Sequence, residues 1–276
     1  MDKLFYISKE NIPFFREYVS NNYFFEIHPT YFSSYILLSI TISLFNLKKA
    51  KIFNFLNIIF SIFFLFLFSS RIVIILLLLT VLLFVFYSFS PKIKRGKLIL
   101  IVSNLTILTV FCFLNNSFVS KRFDEIKNEI SKPIIGNRYN STNTRVAIYK
   151  CDVLLTEKVP FWGYGSNLQE ELNNCFAENN DSDFYKISTF NTHNYYFNLI
   201  LYGGVLFLLI FLLYLYIVFK SIRYNLLGLF IFFQILFINL TENYLSRHYG
   251  LVLFCYFTSL FIFCKKERIN ATIRHI

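Results

Sequence analysis

The chain has 276 residues, of which 56% are hydrophobic and 16% are charged, and its formal net charge is +11. Soluble domains contain roughly 45–50% apolar and about 25% charged residues. The composition therefore excludes an ordinary soluble protein and favours one that crosses a membrane several times.

Seven apolar windows follow one another along the chain. Most have 16 to 18 residues and the fifth has 25, whereas a helix needs roughly 17–25 residues to cross the hydrocarbon of a bilayer. The windows are continuously apolar rather than alternating, and helices satisfy their own backbone polar groups in lipid. We therefore predict an all-α fold, a polytopic membrane protein with about seven transmembrane helices that forms a single membrane domain over residues 1–276. The windows are Tyr31–Leu47, Ile52–Phe68, Ile72–Phe89, Leu98–Leu114, Tyr195–Phe219, Asn225–Leu240 and Tyr249–Cys264.

The basic residues indicate on which side of the membrane each loop lies. The connections after the first, third, fifth and seventh windows carry thirteen basic residues and one acidic residue, Glu267. Short loops rich in Lys and Arg stay in the cytoplasm. The positive charge is thus explained by topology, and we predict no nucleic-acid partner. The N-terminal segment 1–30 and one large loop, residues 115–194, are then extracytoplasmic.

The large loop contains the only candidate for a separate soluble element. Residues 141–158 have apolar residues at helical spacing and Ser and Thr at the start, which predicts a helix that ends before Pro160. The acidic, Asn-rich run 169–183 predicts a mobile surface loop. Cys151 and Cys175 form either a disulfide, which an oxidising exterior permits, or two unpaired thiols.

Ionisable residues are concentrated at the predicted outer face of the membrane. Arginine keeps its charge and offers a planar set of donors that suits phosphate, although single arginines at this depth also serve as interfacial anchors. No His, Cys or Asp cluster has metal-ligand spacing and no Gly-rich phosphate loop is present, so we predict neither a metal nor a cofactor. The outer-face residues are His28, Arg71, Arg145, His193, Glu242, Arg247 and His248.

Five stretches of the chain carry motifs in a fixed order. A Ser-Arg hairpin is followed by an Arg-led helix that ends in a Pro and a Gly-x-Gly turn. After a variable loop come His-Asn and a helix with early glycines, and a Glu-and-Arg element lies near the end. The stretches are HPTYFSSYILL, SSRIVIILLLLTVLLF, NTRVAIYKCDVLLTEKVPFWGYGSN, THNYYFNLILYGGVLFLLIFLLY and LTENYLSRHYG. Together they resemble the O-antigen ligase and polymerase family of bacterial envelope enzymes.

The resemblance implies a reaction at the outer leaflet of the bacterial inner membrane, with the active face toward the periplasm. A glycan would move from an undecaprenyl-diphosphate carrier onto a hydroxyl of a glycan or lipid-core acceptor. Arg71 and Arg145 would bind the diphosphate and stabilise its developing charge. His193 would act as the base toward the acceptor or as a further diphosphate contact, and imidazole suits either role near neutral pH. Arg247, Glu242 and His28 would bind substrate.

Two alternatives to an active transferase stay open. The resemblance covers about the C-terminal two-thirds of a typical family member, and we predict seven helices where such members have ten or more. The first alternative is therefore a short inactive member or a non-catalytic membrane scaffold. A transporter is the second, although the predicted spans hold almost no ionisable residue at mid-depth, where transport sites usually lie. Ligase and polymerase activity, which differ in the acceptor, are not distinguished by the sequence.

Overall fold

The computed structural model describes residues 28–68, 70–89, 141–180 and 183–273. Every regular element in these ranges is helical, which confirms the all-α prediction. The predictions for residues 1–27, for the fourth window Leu98–Leu114 and for loop residues 115–140 lie outside the described residues.

The other six apolar windows all form helices, with ends within a few residues of those predicted except at the last helix. Between the third and fifth windows, the predicted helix of the large loop spans residues Ser141–Lys158 as expected, and two short helices follow it. Single 3₁₀ turns occur at Gly165–Asn167 and Tyr244–Ser246. In chain order the α-helices of the described ranges are α1 (Pro29–Phe45), α2 (Lys51–Phe68), α3 (Arg71–Phe89), α4 (Ser141–Lys158), α5 (Leu168–Asn179), α6 (Asp183–Ile187), α7 (Tyr195–Ile222), α8 (Leu226–Ile238) and α9 (His248–Ile273).

One helix of the described residues, α7, is long and apolar enough to cross a membrane by length and composition. The apolar segments of α1, α2, α3, α8 and α9 are shorter, at 10 to 17 residues. These lengths agree with the short windows of the sequence. The number of seven spans stays a prediction.

The chain forms two compact units. Among the described residues, the first comprises 28–68, 70–88, 221–238 and 248–273, and the second comprises 89, 141–180, 183–220 and 239–247. The prediction of a single membrane domain over the whole chain stays a prediction.

Polar side chains connect the helices of the first unit. The Gln234 amide of α8 donates at 2.8 Å to Thr41 of α1 and at 2.8 Å to Thr80 of α3. The Asn57 amide of α2 donates to the Ser39 hydroxyl of α1 at 2.9 Å. Where neighbouring helices and lipid tails are equally apolar, such contacts hold helices together at about 1 kcal/mol each.

The helix α7 is broken at Gly204, which has a φ of +71°. The rings of Tyr195 and Phe211 lie 5.3 Å apart, although 16 residues of straight helix would separate them by about 24 Å along the axis. The segments before and after Gly204 therefore fold back toward each other. The predicted fifth window is helical, but it is not one continuous helix.

Candidate functional site

The hydrophobic core of the second unit lies between α4 and α5. Its buried side chains recur at helical spacing on both helices, and the disulfide between Cys151 and Cys175 joins them across a Cα–Cα distance of 5.8 Å. The disulfide, one of the two open alternatives, is thus confirmed. Closing a loop of this length contributes about 3 kcal/mol in the chain-entropy account. The core includes Ala147, Ile148, Cys151, Leu155, Leu168, Leu172, Cys175 and Phe176.

The prediction of a mobile loop over residues 169–183 was wrong. Most of the run is the helix α5, and residue 183 begins α6. The polar residues of α5 are partly or fully exposed, while Leu172, Cys175 and Phe176 are at most 6% exposed. Acidic and Asn residues dominate the composition of the run, but these three apolar residues share one face of a helix and bury it.

A tight turn after α4 packs against the break in α7. The backbone N–H of Tyr164 donates at 2.7 Å to the carbonyl of Leu201, which has lost its helical donor because Gly204 interrupts the helix. A Cβ on Gly204 would collide with the backbone carbonyl of Phe161. The close neighbour of Gly204 is therefore this turn.

The start of α7 is fixed by Asn194, the residue before its first turn. The Asn194 side-chain oxygen accepts from the backbone N–H groups of Tyr196 at 3.0 Å and Phe197 at 3.2 Å, which is the arrangement of an N-cap. The Tyr195 N–H donates to the Asn239 carbonyl at 2.9 Å. These contacts attach the chain before α7 to the segment that carries Glu242.

His193 precedes this cap in an unusual backbone conformation. Its φ of +43° is the only positive value among the non-glycine residues described, and such conformations cost of order 1–3 kcal/mol in side chains with a Cβ. The His193 N–H donates to the Asn191 side-chain oxygen at 3.0 Å, which offsets part of that cost. The strained backbone sets the direction in which the imidazole leaves the chain.

The carboxylate of Glu242 joins two of the predicted site residues. Arg145 Nη2 donates to Glu242 Oε1 at 2.7 Å, and His193 Nδ1 lies 3.3 Å from Glu242 Oε2. The Glu242 side chain is 6% exposed, compared with 38% for Arg145 and 28% for His193. A buried carboxylate thus contacts two side chains that are themselves partly exposed.

Sequence reasoning missed two titratable residues on the Arg145 face of α4. Tyr149 follows Arg145 by one turn, and burial raises its pKa above the usual value, with Arg145 opposing the shift. Asp152 follows one turn later and is fully buried, and this burial raises its pKa to about 8. Neither carboxyl oxygen of Asp152 has a hydrogen-bond partner within the described part of the chain. Their spacing of four and seven residues from Arg145 was the signal that could have identified them.

The other predicted residues lie elsewhere. Arg71 is the first residue of α3 and His28 precedes α1, where its Nδ1 accepts from the Thr30 N–H at 3.4 Å; both belong to the first unit. Arg247 belongs to the second unit and is exposed at the end of the second 3₁₀ turn. The geometry brings together Arg145, His193 and Glu242, and the roles of all six residues stay predictions. Within the described ranges, no group of three or more His, Cys, Asp or Glu residues could hold a metal ion.

The family is established by comparison with known proteins. The model of the O-antigen ligase family matches residues 56–212, more than half of the chain. The chain belongs to the O-antigen ligase family. No curated protein matches it. The match includes Arg71, Arg145 and His193, whereas Glu242 comes after it. Family membership identifies a bacterial membrane protein and supports an O-antigen ligase-like function in the transfer of lipid-linked glycans.

Proposed function

We propose that this protein transfers a glycan from an undecaprenyl-diphosphate carrier to an acceptor hydroxyl at the outer leaflet of the inner membrane, without a metal ion. The disulfide in the second unit supports the outward placement of that unit, because disulfides persist in oxidising compartments. The basic connections of the sequence support the same orientation.

The contact between Glu242 and His193 carries the proposal. A carboxylate accepts hydrogen bonds, so the bond at 3.3 Å requires the proton of the neutral imidazole to lie on Nδ1. The lone pair is then on Nε2, which is the atom that accepts a proton. His193 therefore acts as the base toward the acceptor, and Glu242 stabilises the imidazolium that forms. This arrangement favours the base role over the alternative of a cationic diphosphate contact.

Arg145 binds the diphosphate. Its Nη2 is held by Glu242 at 2.7 Å, but a guanidinium has five N–H donors in a rigid plane. The other donors of this partly exposed side chain remain for phosphate oxygens. The role of Arg71 as a diphosphate contact, which the family resemblance implies, stays a prediction.

In the proposed reaction, the acceptor oxygen forms a bond with the anomeric carbon of the donor glycan. The bond between that carbon and the diphosphate oxygen breaks, and the carrier diphosphate leaves with the bonding electrons. The proton of the acceptor hydroxyl moves to His193 Nε2. Arg145 stabilises the charge that grows on the leaving diphosphate.

The test uses the full-length protein in lipid vesicles with a lipid-linked glycan donor and a separate acceptor. Glu242→Gln keeps the size of the side chain but provides a poorer acceptor for His193 Nδ1. We expect transfer to fall by about a hundredfold in His193→Gln and Glu242→Gln, in line with general-base catalysis. Arg145→Lys and Arg71→Lys should each lose at least about tenfold, or 1.4 kcal/mol of transition-state stabilisation.

The control is Lys150→Gln, which removes an exposed positive charge from the same helix as Arg145. It should keep wild-type transfer. Wild-type rates in both His193→Gln and Arg145→Lys would contradict the proposed mechanism. A wild-type protein that transfers no glycan would contradict the proposed function and favour a non-catalytic scaffold. We also expect transfer to continue when divalent metal ions are removed with a chelator.

A further inference from the structure

A second junction lies two residues before Glu242, at the backbone carbonyl of Leu240. The Tyr149 hydroxyl of α4 donates to this oxygen at 3.3 Å. The Asn194 side-chain amide donates to the same oxygen at 3.1 Å. A carbonyl oxygen has two lone pairs and accepts both bonds, so it connects α4 and the start of α7 to one segment.

The same two elements contact the Leu240 carbonyl and the Glu242 carboxylate. Tyr149 lies one helical turn after Arg145, so the two side chains leave the same face of α4. Asn194 directly follows His193 in the chain. The same two elements therefore contact the segment of residues 239–243 at two acceptors that are two residues apart. One junction uses a side-chain carboxylate and the other uses the backbone itself.

The position of Glu242 depends on this backbone attachment. The contact of 3.3 Å between Glu242 and His193 Nδ1 is already at the long end for a hydrogen bond, and such bonds are lost within a few tenths of an ångström more. A small displacement of the segment would therefore separate the carboxylate from the imidazole. Burial raises the pKa of Tyr149, so the phenol keeps the proton that it donates to Leu240.

We propose that Tyr149 is a positioning residue for the transfer reaction: its hydroxyl, through the Leu240 carbonyl, holds Glu242 against His193 and so keeps the proton of the imidazole on Nδ1. The inference rests on the proposed function for its effect on catalysis. Its structural part concerns the tautomer of His193 and is measured without any transfer.

The variant Tyr149→Phe removes the hydroxyl and keeps the ring. The chain offers a matched control in Tyr164→Phe, since the Tyr164 hydroxyl also donates to a backbone carbonyl in the second unit, that of Leu155 at 3.2 Å. The control loses the same kind of bond at a carbonyl that is not in the segment of Glu242. A second variant, Asn194→Ser, keeps an N-cap side chain but removes the amide that donates to Leu240.

The first measurement is nitrogen NMR of the protein labelled with ¹⁵N-histidine, in lipid and at a pH where imidazole is neutral. The chain has four histidines, so the signal of His193 is assigned with the variant His193→Gln. We expect an Nδ1–H tautomer in the wild type and in Tyr164→Phe. In Tyr149→Phe and Asn194→Ser we expect a mixture that is rich in the Nε2–H form preferred by free histidine.

The second measurement is the kinetics of transfer. We expect kcat of Tyr149→Phe to fall by about tenfold, because His193 is then misplaced as the base toward the acceptor hydroxyl. KM for the lipid-linked donor should change by less than about twofold, because the contacts with the donor are kept. An unchanged tautomer in Tyr149→Phe would overturn the inference, as would an equal change in Tyr164→Phe. If the wild type transfers nothing, the proposed function fails, and the tautomer alone decides whether Tyr149 positions Glu242.

Discussion

The buried carboxyl group of Asp152 should make the stability of the second unit depend on pH. Asp152 is fully buried and neither of its oxygens has a partner among the described residues. Burial raises its pKa from 3.8 to about 8. In the folded protein at pH 7 the group is therefore protonated, and in the unfolded chain it is ionised. The neighbouring titratable group is Tyr149 on the same helix, which also stays neutral at this pH.

The sign and size of the effect follow from this difference. The folded state binds the proton more tightly than the unfolded chain, so the contribution of Asp152 to the free energy of unfolding is greatest below pH 3.8 and falls as pH rises to about 8. Each pH unit in this range costs about 1.4 kcal/mol, which gives a loss of about 4 kcal/mol between pH 4 and pH 7. Asp152→Asn cannot ionise. We therefore expect this variant to be more stable than the wild type at pH 7 by up to about the same amount.

The assay is thermal unfolding of the full-length protein in lipid or detergent, without reductant, from pH 5 to pH 8. The melting temperature of the wild type should fall across this range more steeply than that of Asp152→Asn. Infrared spectra should contain the band of a protonated carboxyl group at pH 7 in the wild type and lose it in the variant. Glu157→Gln, at an exposed position on the same helix, is the control and should leave the pH dependence unchanged. Equal pH dependence in the wild type and Asp152→Asn would refute the reasoning.

Three further predictions concern the fold of the second unit and its side of the membrane. Gly204→Ala should lower the melting temperature more than Gly165→Ala. Both positions have a positive φ, but of these two only Gly204 would place a Cβ against backbone atoms. Equal losses of melting temperature would mean that the backbone conformation alone matters. Replacing Cys151 and Cys175 together by Ser should lower the free energy of unfolding by about 3 kcal/mol, and reductant should destabilise the wild type but not this variant. A cysteine introduced at the exposed position Glu178 should react with a membrane-impermeant thiol reagent added from outside, and reaction only after the cytoplasmic side is opened would reverse the proposed topology.

Local patterns were enough to predict the individual helices. The apolar windows follow from the length of continuously apolar sequence. The helix of residues 141–158 follows from the spacing of its apolar residues and from Pro160, and both signals involve only residues close together in the chain. The same approach failed at residues 169–183, where polar composition concealed the apolar face of α5. It also failed at Gly204, because whether a glycine in an apolar helix breaks it depends on what packs there. In this protein the turn after α4 supplies an N–H to the carbonyl that the break leaves free.

Residue identities along the chain are enough to predict the class of the protein and the chemical types of its site residues. Apolar length, the placement of basic residues and the family resemblance depend on residue identity alone, and they identify Arg145, His193 and Glu242 as candidates. How these three side chains are combined depends on the tertiary fold. Glu242 is separated by 97 residues from Arg145 and by 49 from His193. Local sequence patterns do not predict contacts over such separations, nor which carboxylate oxygen binds which nitrogen. The burial of Asp152, which sets its pKa, likewise depends on the packing around α4, because a single aspartate in a helix has the same local sequence whether it faces water or the core.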